Sequence, residues 1–169
     1  MPIKLIGSIL VLVGCASIGF CIASMHNREI YMLENLCSIL IYMINELQFR
    51  MTPLPELCMA AANQSRGTFQ SLFARLATEL EGQISPDAES CMLAALSAVA
   101  MPQHAHECLL LLGKNLGKFD IEGQINGIED VRAKCMSKLE MLNNNKENRI
   151  RSYRTLGICA GLAIVIIFI

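Results

Sequence analysis

Tryptophan is missing from these 169 residues, and aromatics of any kind make up only 5%. That scarcity removes the stacking platforms on which sugar-binding and single-strand nucleic-acid surfaces rely. A formal net charge of −1 leaves no basic stripe for a phosphate backbone, so nothing points to nucleic acid as a partner. No Cys-x-x-Cys pair occurs among the eight cysteines, which removes the commonest zinc and dithiol spacings. The three histidines, His26, His104 and His106, supply no convincing nucleophile, base and orienting acid. Strand-like alternation of apolar and polar residues is found nowhere. Charge itself is absent from two places: Leu5 to Asn27 and Thr155 to Ile169 contain no Asp, Glu, Lys or Arg.

What is there begins with those two apolar ends, which account for the excess in a hydrophobic fraction of 53% and a mean hydropathy of +0.43, both high for a soluble domain. A helix crossing the hydrocarbon needs about 20 apolar residues. Leu5 to Met25 meets that, with Gly7, Gly14 and Gly19 allowing close helix packing. Two rivals are a cleaved signal peptide starting at Lys4 and an exported lipoprotein, or membrane-anchored adaptor, lipidated at Cys15 in Leu12-Val13-Gly14-Cys15. Both conflict with the apolar run that continues through residues 16–25, where a processed chain would turn polar. The C-terminal apolar run is preceded by Lys146, Arg149, Arg151 and Arg154 against a single Glu147, a flank that the positive-inside rule places in the cytosol. Lys4 argues for the opposite orientation and is outweighed. The expected organisation is a transmembrane anchor over 1–26, a cytosolic domain over 27–154 and a second transmembrane helix over 155–169, with both termini outside. Cys37, Cys58, Cys91, Cys108 and Cys135 fall on or beside apolar stripes, where they behave as small hydrophobes in a reducing compartment.

The middle domain reads as all-α, an antiparallel bundle of about six helices flanked by the two transmembrane helices. From Arg28 to Met51 apolar residues recur at Ile30, Leu33, Leu36, Cys37, Leu40, Ile41, Ile44 and Leu47, the spacing of one helix face. Thr52-Pro53-Leu54-Pro55-Glu56 ends this helix and starts another, with Thr52 as N-cap and Pro53 in the first helical position. That short helix turns Leu54, Leu57, Cys58 and Ala61 inward. After a break at Ser65-Arg66-Gly67-Thr68, Phe69, Leu72, Phe73, Leu76 and Leu80 repeat the period as far as Gly82. Ser85-Pro86-Asp87 opens a helix with Met92, Leu93, Leu96 and Val99 as its buried stripe, which Pro102 ends. A helix from Glu107 to Leu116 closes at Gly117. Asp120 then caps a long last helix, with Ile121, Ile125, Ile128, Val131, Cys135, Leu139 and Leu142 on one face. With no proline beyond Ile121, it is expected to run unbroken through Asn143-Asn144-Asn145 into the C-terminal apolar run.

Chemical motifs are weak. Gly113-Lys114-Asn115-Leu116-Gly117-Lys118-Phe119 has the wrong glycine spacing for a phosphate loop and no Ser or Thr after the lysine. His104-Ala105-His106-Glu107-Cys108 reads as a solvated loop leading to a core cysteine rather than a metal cluster, since only His104 and Cys108 would share a helix face and a structural zinc wants four ligands. Asn63-Gln64-Ser65 matches a glycosylation sequon that requires an exported loop. Gly123 and Gly127, one turn apart, mean either that a neighbouring helix packs closely there, the preferred reading, or that the helix bends. No catalytic residue, metal ligand, cofactor or small-molecule substrate is expected.

Two segments carry a family resemblance. Thr52-Pro53-Leu54-Pro55-Glu56 after a long first helix resembles the turn of stage III sporulation protein AB, and Leu112 to Gln124, with Leu116, Gly117, Asp120, Gly123 and Gln124, resembles that family's segment before its last helix. Pro2 to Gly7 and the apolar tail fit as well, so the likeness covers nearly the whole chain. The resemblance implies a non-enzymatic membrane platform or scaffold in endospore-forming bacteria. It would sit in the mother-cell membrane facing the forespore, in a secretion-like channel complex. Its cytosolic bundle would be similar to the platform protein of type II secretion and type IV pilus systems. The implied partners are a secretion-type ATPase, other membrane subunits of the complex and the lipid bilayer. The motif residues themselves read as caps, turns and close-packing positions, so contact with the ATPase is expected from surface charge on the bundle and last helix.

Overall fold

The computed structural model describes residues 27–82, 87–117 and 120–168, the stretch from 145 onward by its backbone alone. Every regular element among these residues is a helix: α1 (Asn27–Arg50), α2 (Leu54–Gln64), α3 (Thr68–Glu81), α4 (Ala88–Ser97), α5 (Gln103–Asn115) and α6 (Ile121–Phe168). The all-α bundle read from periodicity is what forms. The expected transmembrane anchor over 1–26, including Cys15, lies outside the described residues, as do Ser85 and Pro86.

α1 is long and apolar enough to cross a membrane, with a mean hydropathy of 1.2 over its best window. Its apolar stripe is nevertheless enclosed by protein: Leu33, Leu36, Leu40 and Met43 are fully buried and Leu47 nearly so, while Arg28, Glu34 and Arg50 face outward. The face is wider than the expected one, because Met32, Ile39 and Met43 join it, and Ile41 falls outside it, exposed. Unbranched Met fills gaps between helices that a regular stripe leaves open.

α1 ends in a turn organised by one carboxylate. Glu46 is buried and accepts from the Tyr42 hydroxyl at 2.8 Å, the Arg50 guanidinium at 3.3 Å and the Thr52 hydroxyl at 3.4 Å. Thr52 therefore does not cap α2. Pro53 is the N-cap, with no side-chain cap bond, and its carbonyl accepts from Leu57 N at 2.8 Å. Between the two helices Met51 adopts φ +50°, a conformation that disfavours residues with a Cβ.

α2 packs on α3, α3 on α4 and α4 on α5. Ser65, buried at the α2 C-terminus, donates its hydroxyl to Ala61 O at 2.6 Å. Phe69, Leu72, Phe73, Leu76 and Ala77 form the inner face of α3, with Leu80 only half-buried. α4 starts at Asp87, whose carboxylate accepts from Ser90 N at 3.0 Å. Its inner face is Ala88, Cys91, Met92, Ala95 and Leu96. Leu93, expected inside, is 49% exposed, and Val99 lies beyond the helix, half-buried. The inner face thus carries two alanines, Ala88 and Ala95, beside Met92 and Leu96. α5 approaches this face closely at Gly113, where a Cβ would fall 2.7 Å from Met92 Cβ.

α5 begins earlier than expected, at Gln103, with Pro102 as its N-cap and His104, Ala105 and His106 already helical. The reading of these residues as a loop is thereby corrected. Asp120 caps α6 as expected, accepting from Gly123 N at 3.0 Å. α6 is unbroken for 48 residues, about 70 Å at 1.5 Å per residue. Ile128, Val131, Cys135 and Leu142 are buried, Ile125 and Leu139 half-buried, and Ile121 is exposed. Tyr31–Leu139 forms one compact unit, and α6 from Glu140 onward belongs to a second.

The corrected face of α4 has a measurable consequence. Met92→Ala should destabilise the protein by about 2–5 kcal/mol, whereas Leu93→Ala next to it should change stability by less than about 0.5 kcal/mol. Chemical denaturation of the two variants side by side checks this, and equal losses would restore Leu93 to the core.

Candidate docking surface

The two segments that stood out in the sequence are brought together in space. Gly117 follows Leu116, the buried C-cap of α5, and adopts φ +75°. A Cβ at Gly117 would sit 3.4 Å from Leu54 Cδ2 and 3.6 Å from Ala88 Cβ. Leu54 belongs to the Thr52–Glu56 segment, so that segment lies directly against the α5–α6 turn. Half-buried Gln124 donates its backbone N–H to Asp120 O at 2.9 Å. Pro53 and Glu56 are exposed and Pro55 is half-buried. Thr52, Leu54, Leu116, Gly117, Asp120 and Gly123 thus act through the turn and caps they build rather than as a reactive set. On the same α1–α2 turn Phe49 and Met51 are 79% and 68% exposed. Lys146, Arg149, Arg151 and Arg154 lie along α6, within the stretch described by its backbone alone.

α5 and α6 run antiparallel, as two widely spaced bonds show. Near the turn, Asn115 Nδ2 donates to Gly127 O at 3.1 Å, and a Cβ on Gly127 would meet Asn115 Cβ at 2.9 Å. The close approach expected at this glycine is present. Farther along, Lys138 Nζ donates to Glu107 Oε2 at 2.7 Å and lies 3.2 Å from His104 Nδ1. Glu107 also accepts from Gln103 Nε2 at 3.0 Å. The Lys138 ammonium, seconded by Gln103, holds the Glu107 carboxyl below the ordinary carboxylate range.

Between these helices lies a groove of about 260 Å³ lined by Glu107, Cys108, Leu110, Leu111, Lys114, Lys134 and Lys138. Sequence reasoning missed it. The spacing was legible, since Lys134 and Lys138 are one turn apart and Leu111 and Lys114 share a face of α5. What periodicity does not reveal is which helix faces which.

The thiols belong to the core. Cys37 of α1, Cys108 of α5 and Cys135 of α6 meet where the three helices converge, with Cys135 in hydrogen-bond contact with both others. These contacts and burial push the Cys135 thiol up, while the bond from Cys135 draws Cys108 down. Burial, above all, pushes Cys58 up to about 12. All five described cysteines are free. Among the described residues no group of three His, Cys, Asp or Glu side chains is arranged to hold a metal ion. What this surface offers is shape, apolar area and charge.

The family model for stage III sporulation protein AB matches residues 4–169. A solved structure of a stage III sporulation protein AB is similar in fold, with a TM-score of 0.62 and 18% identity, over 72% of this chain and 98% of that one. No curated protein matches.

The geometry around Gly117 and Glu107 can be tested directly. Gly117→Ala places a Cβ at positive φ against Leu54 and should cost about 1–2 kcal/mol, read as a lowered denaturation midpoint with an unchanged helical spectrum. The stabilisation from the lowered Glu107 carboxyl is present at neutral pH and lost as the pH falls through that lowered value. Lys138→Met should return the Glu107 titration upward to the ordinary range, followed by NMR of the side-chain carboxyl carbon, and an unmoved titration would remove Lys138 as the cause.

Proposed function

The chain belongs to the stage III sporulation protein AB family, and from that premise we propose that this sporulation protein is a non-enzymatic membrane platform. In this reading it serves a secretion-like channel complex between mother cell and forespore and docks a secretion-type ATPase on its cytosolic helices. The observation that carries the reading is α6. One helix contributes Ile128, Val131 and Cys135 to the core of the helical unit and continues to Phe168 through the charge-free C-terminal run. A helix with that double character ties a water-exposed binding unit to a bilayer, which is what a platform has to do.

The topology that goes with it has two spans, over 1–26 and 155–169, with 27–154 in the mother-cell cytosol and both termini on the far side. Lys146, Arg149, Arg151 and Arg154 then meet the anionic cytosolic leaflet. Other subunits of the complex would contact the spans, where Gly7, Gly14 and Gly19 permit close helix approach.

The test uses the full chain in lipid nanodiscs with the secretion-type ATPase of the same organism's sporulation complex. Saturable binding that weakens as salt rises is the expected result, since the contact is assigned to surface charge. A folded, nucleotide-loaded ATPase that does not bind would overturn the docking role.

A further inference from the structure

We propose that the groove between α5 and α6 is a seat for an acidic amphipathic helix supplied by a partner protein. Its identification with the ATPase rests on the platform reading, whereas the chemistry of the seat does not. The floor is apolar: Leu110 and Leu111 are half-buried and Cys108 is buried beside them. The rim is cationic, with Lys114 on the α5 side and Lys134 and Lys138 on the α6 side against the single carboxylate of Glu107. That concentration of positive charge stands out in a chain whose net charge is −1.

The three lysines are not equally committed. Lys138 is fixed by Glu107 at 2.7 Å and sets one end of the groove. Lys114 reaches Glu89 only at 3.7 Å and is largely exposed. Lys134 is exposed and pairs with no carboxylate among the described residues. Two ammonium groups flanking an apolar floor are therefore open to carboxylates that a partner brings.

Size and lining together indicate the kind of occupant. The volume of about 260 Å³ falls below the roughly 300–1,000 Å³ of pockets that enclose small molecules. It accommodates a few side chains from a helix laid along the surface, the helix-in-groove mode of peptide recognition. Lys114 on the α5 side and Lys134 on the α6 side flank Leu110 and Leu111, so an incoming helix with carboxylates on both flanks matches them while its apolar face covers the leucines. A nucleic acid would leave that floor uncovered and would meet Glu107.

The probe is a 16-residue helical peptide with Leu along one face and Glu on both flanks, labelled and titrated by fluorescence anisotropy against the full chain in phosphatidylcholine nanodiscs. Saturable binding that falls with salt is expected, with loss of about tenfold or more in affinity for Lys134→Glu and for Leu111→Asp, and retention for Lys134→Arg. The same peptide with Lys in place of Glu should not bind. Circular dichroism and thermal melting establish that each variant is folded. Equal binding of the two peptides, or full affinity in a folded Lys134→Glu variant, overturns the proposal. So does binding to anionic vesicles with none to the acidic peptide. ATPase binding is read separately on the same nanodiscs: its failure bears on the platform reading, while the peptide alone decides the groove.

Discussion

The helical unit depends on enclosing one face of α1. Leu33, Leu36, Leu40 and Met43 are fully buried, and each such side chain contributes about 1.5–3 kcal/mol relative to exposure. α1 passes the length and hydropathy test for a membrane helix, yet it carries Arg28, Glu29, Glu34, Glu46 and Arg50. What makes those charges tolerable is their position. Glu34 and the terminal arginines stay in water, and the buried Glu46 is given three donors, which offsets the desolvation of its carboxylate. The same Glu46 network sets the turn into α2, so the core of α1 and the start of the α2–α3 hairpin are decided together.

A second constraint acts through small residues. Gly113 lets α5 reach Met92 of α4, Gly117 lets the α5–α6 turn reach Leu54 and Ala88, and Gly127 lets α6 reach Asn115. Three contacts of this kind around α5 place it as the hub between α4, α6 and the α2 entry. Exposed polar residues on α5 and α6 then acquire fixed partners across the helix pair, and the Glu107–Lys138 bond is one result. The groove beside that bond is lined from both helices, α5 and α6, and so belongs to no local motif.

Much of this architecture was legible in order and type. Asp120 caps the helix it precedes, the break at 65–68 falls where Ser and Gly cluster, and Gly117 ends α5. These are local choices, and local chemistry settles them. The misreadings share a different origin. Thr52 looked like a cap because the sequence does not show that Glu46, six residues earlier, competes for its hydroxyl. Leu93 looked buried because a stripe of large residues was assumed, whereas Ala88 and Ala95 turn a smaller face inward. His104 and His106 looked like loop residues because Pro102 was read as a stop, although the same proline is the N-cap of α5. In each case the sequence offered two locally acceptable states, and the pattern alone did not choose between them.

The segments that carry the family resemblance are, in the structure, joints. Leu54 seals Gly117, Asp120 ties the first turn of α6, and none of these groups is free to react. Surface residues around them are what remains available for recognition: exposed Phe49 and Met51 on one turn, and Lys114 and Lys134 over Leu110 and Leu111 on the α5–α6 face. Side chains of this kind need not be retained for folding, because their removal leaves no cavity and orphans no buried partner. The solved structure that shares this fold is 18% identical, so the fold is compatible with replacement of most side chains. Turn and cap chemistry holds these exposed faces in place and does not by itself single out one of them.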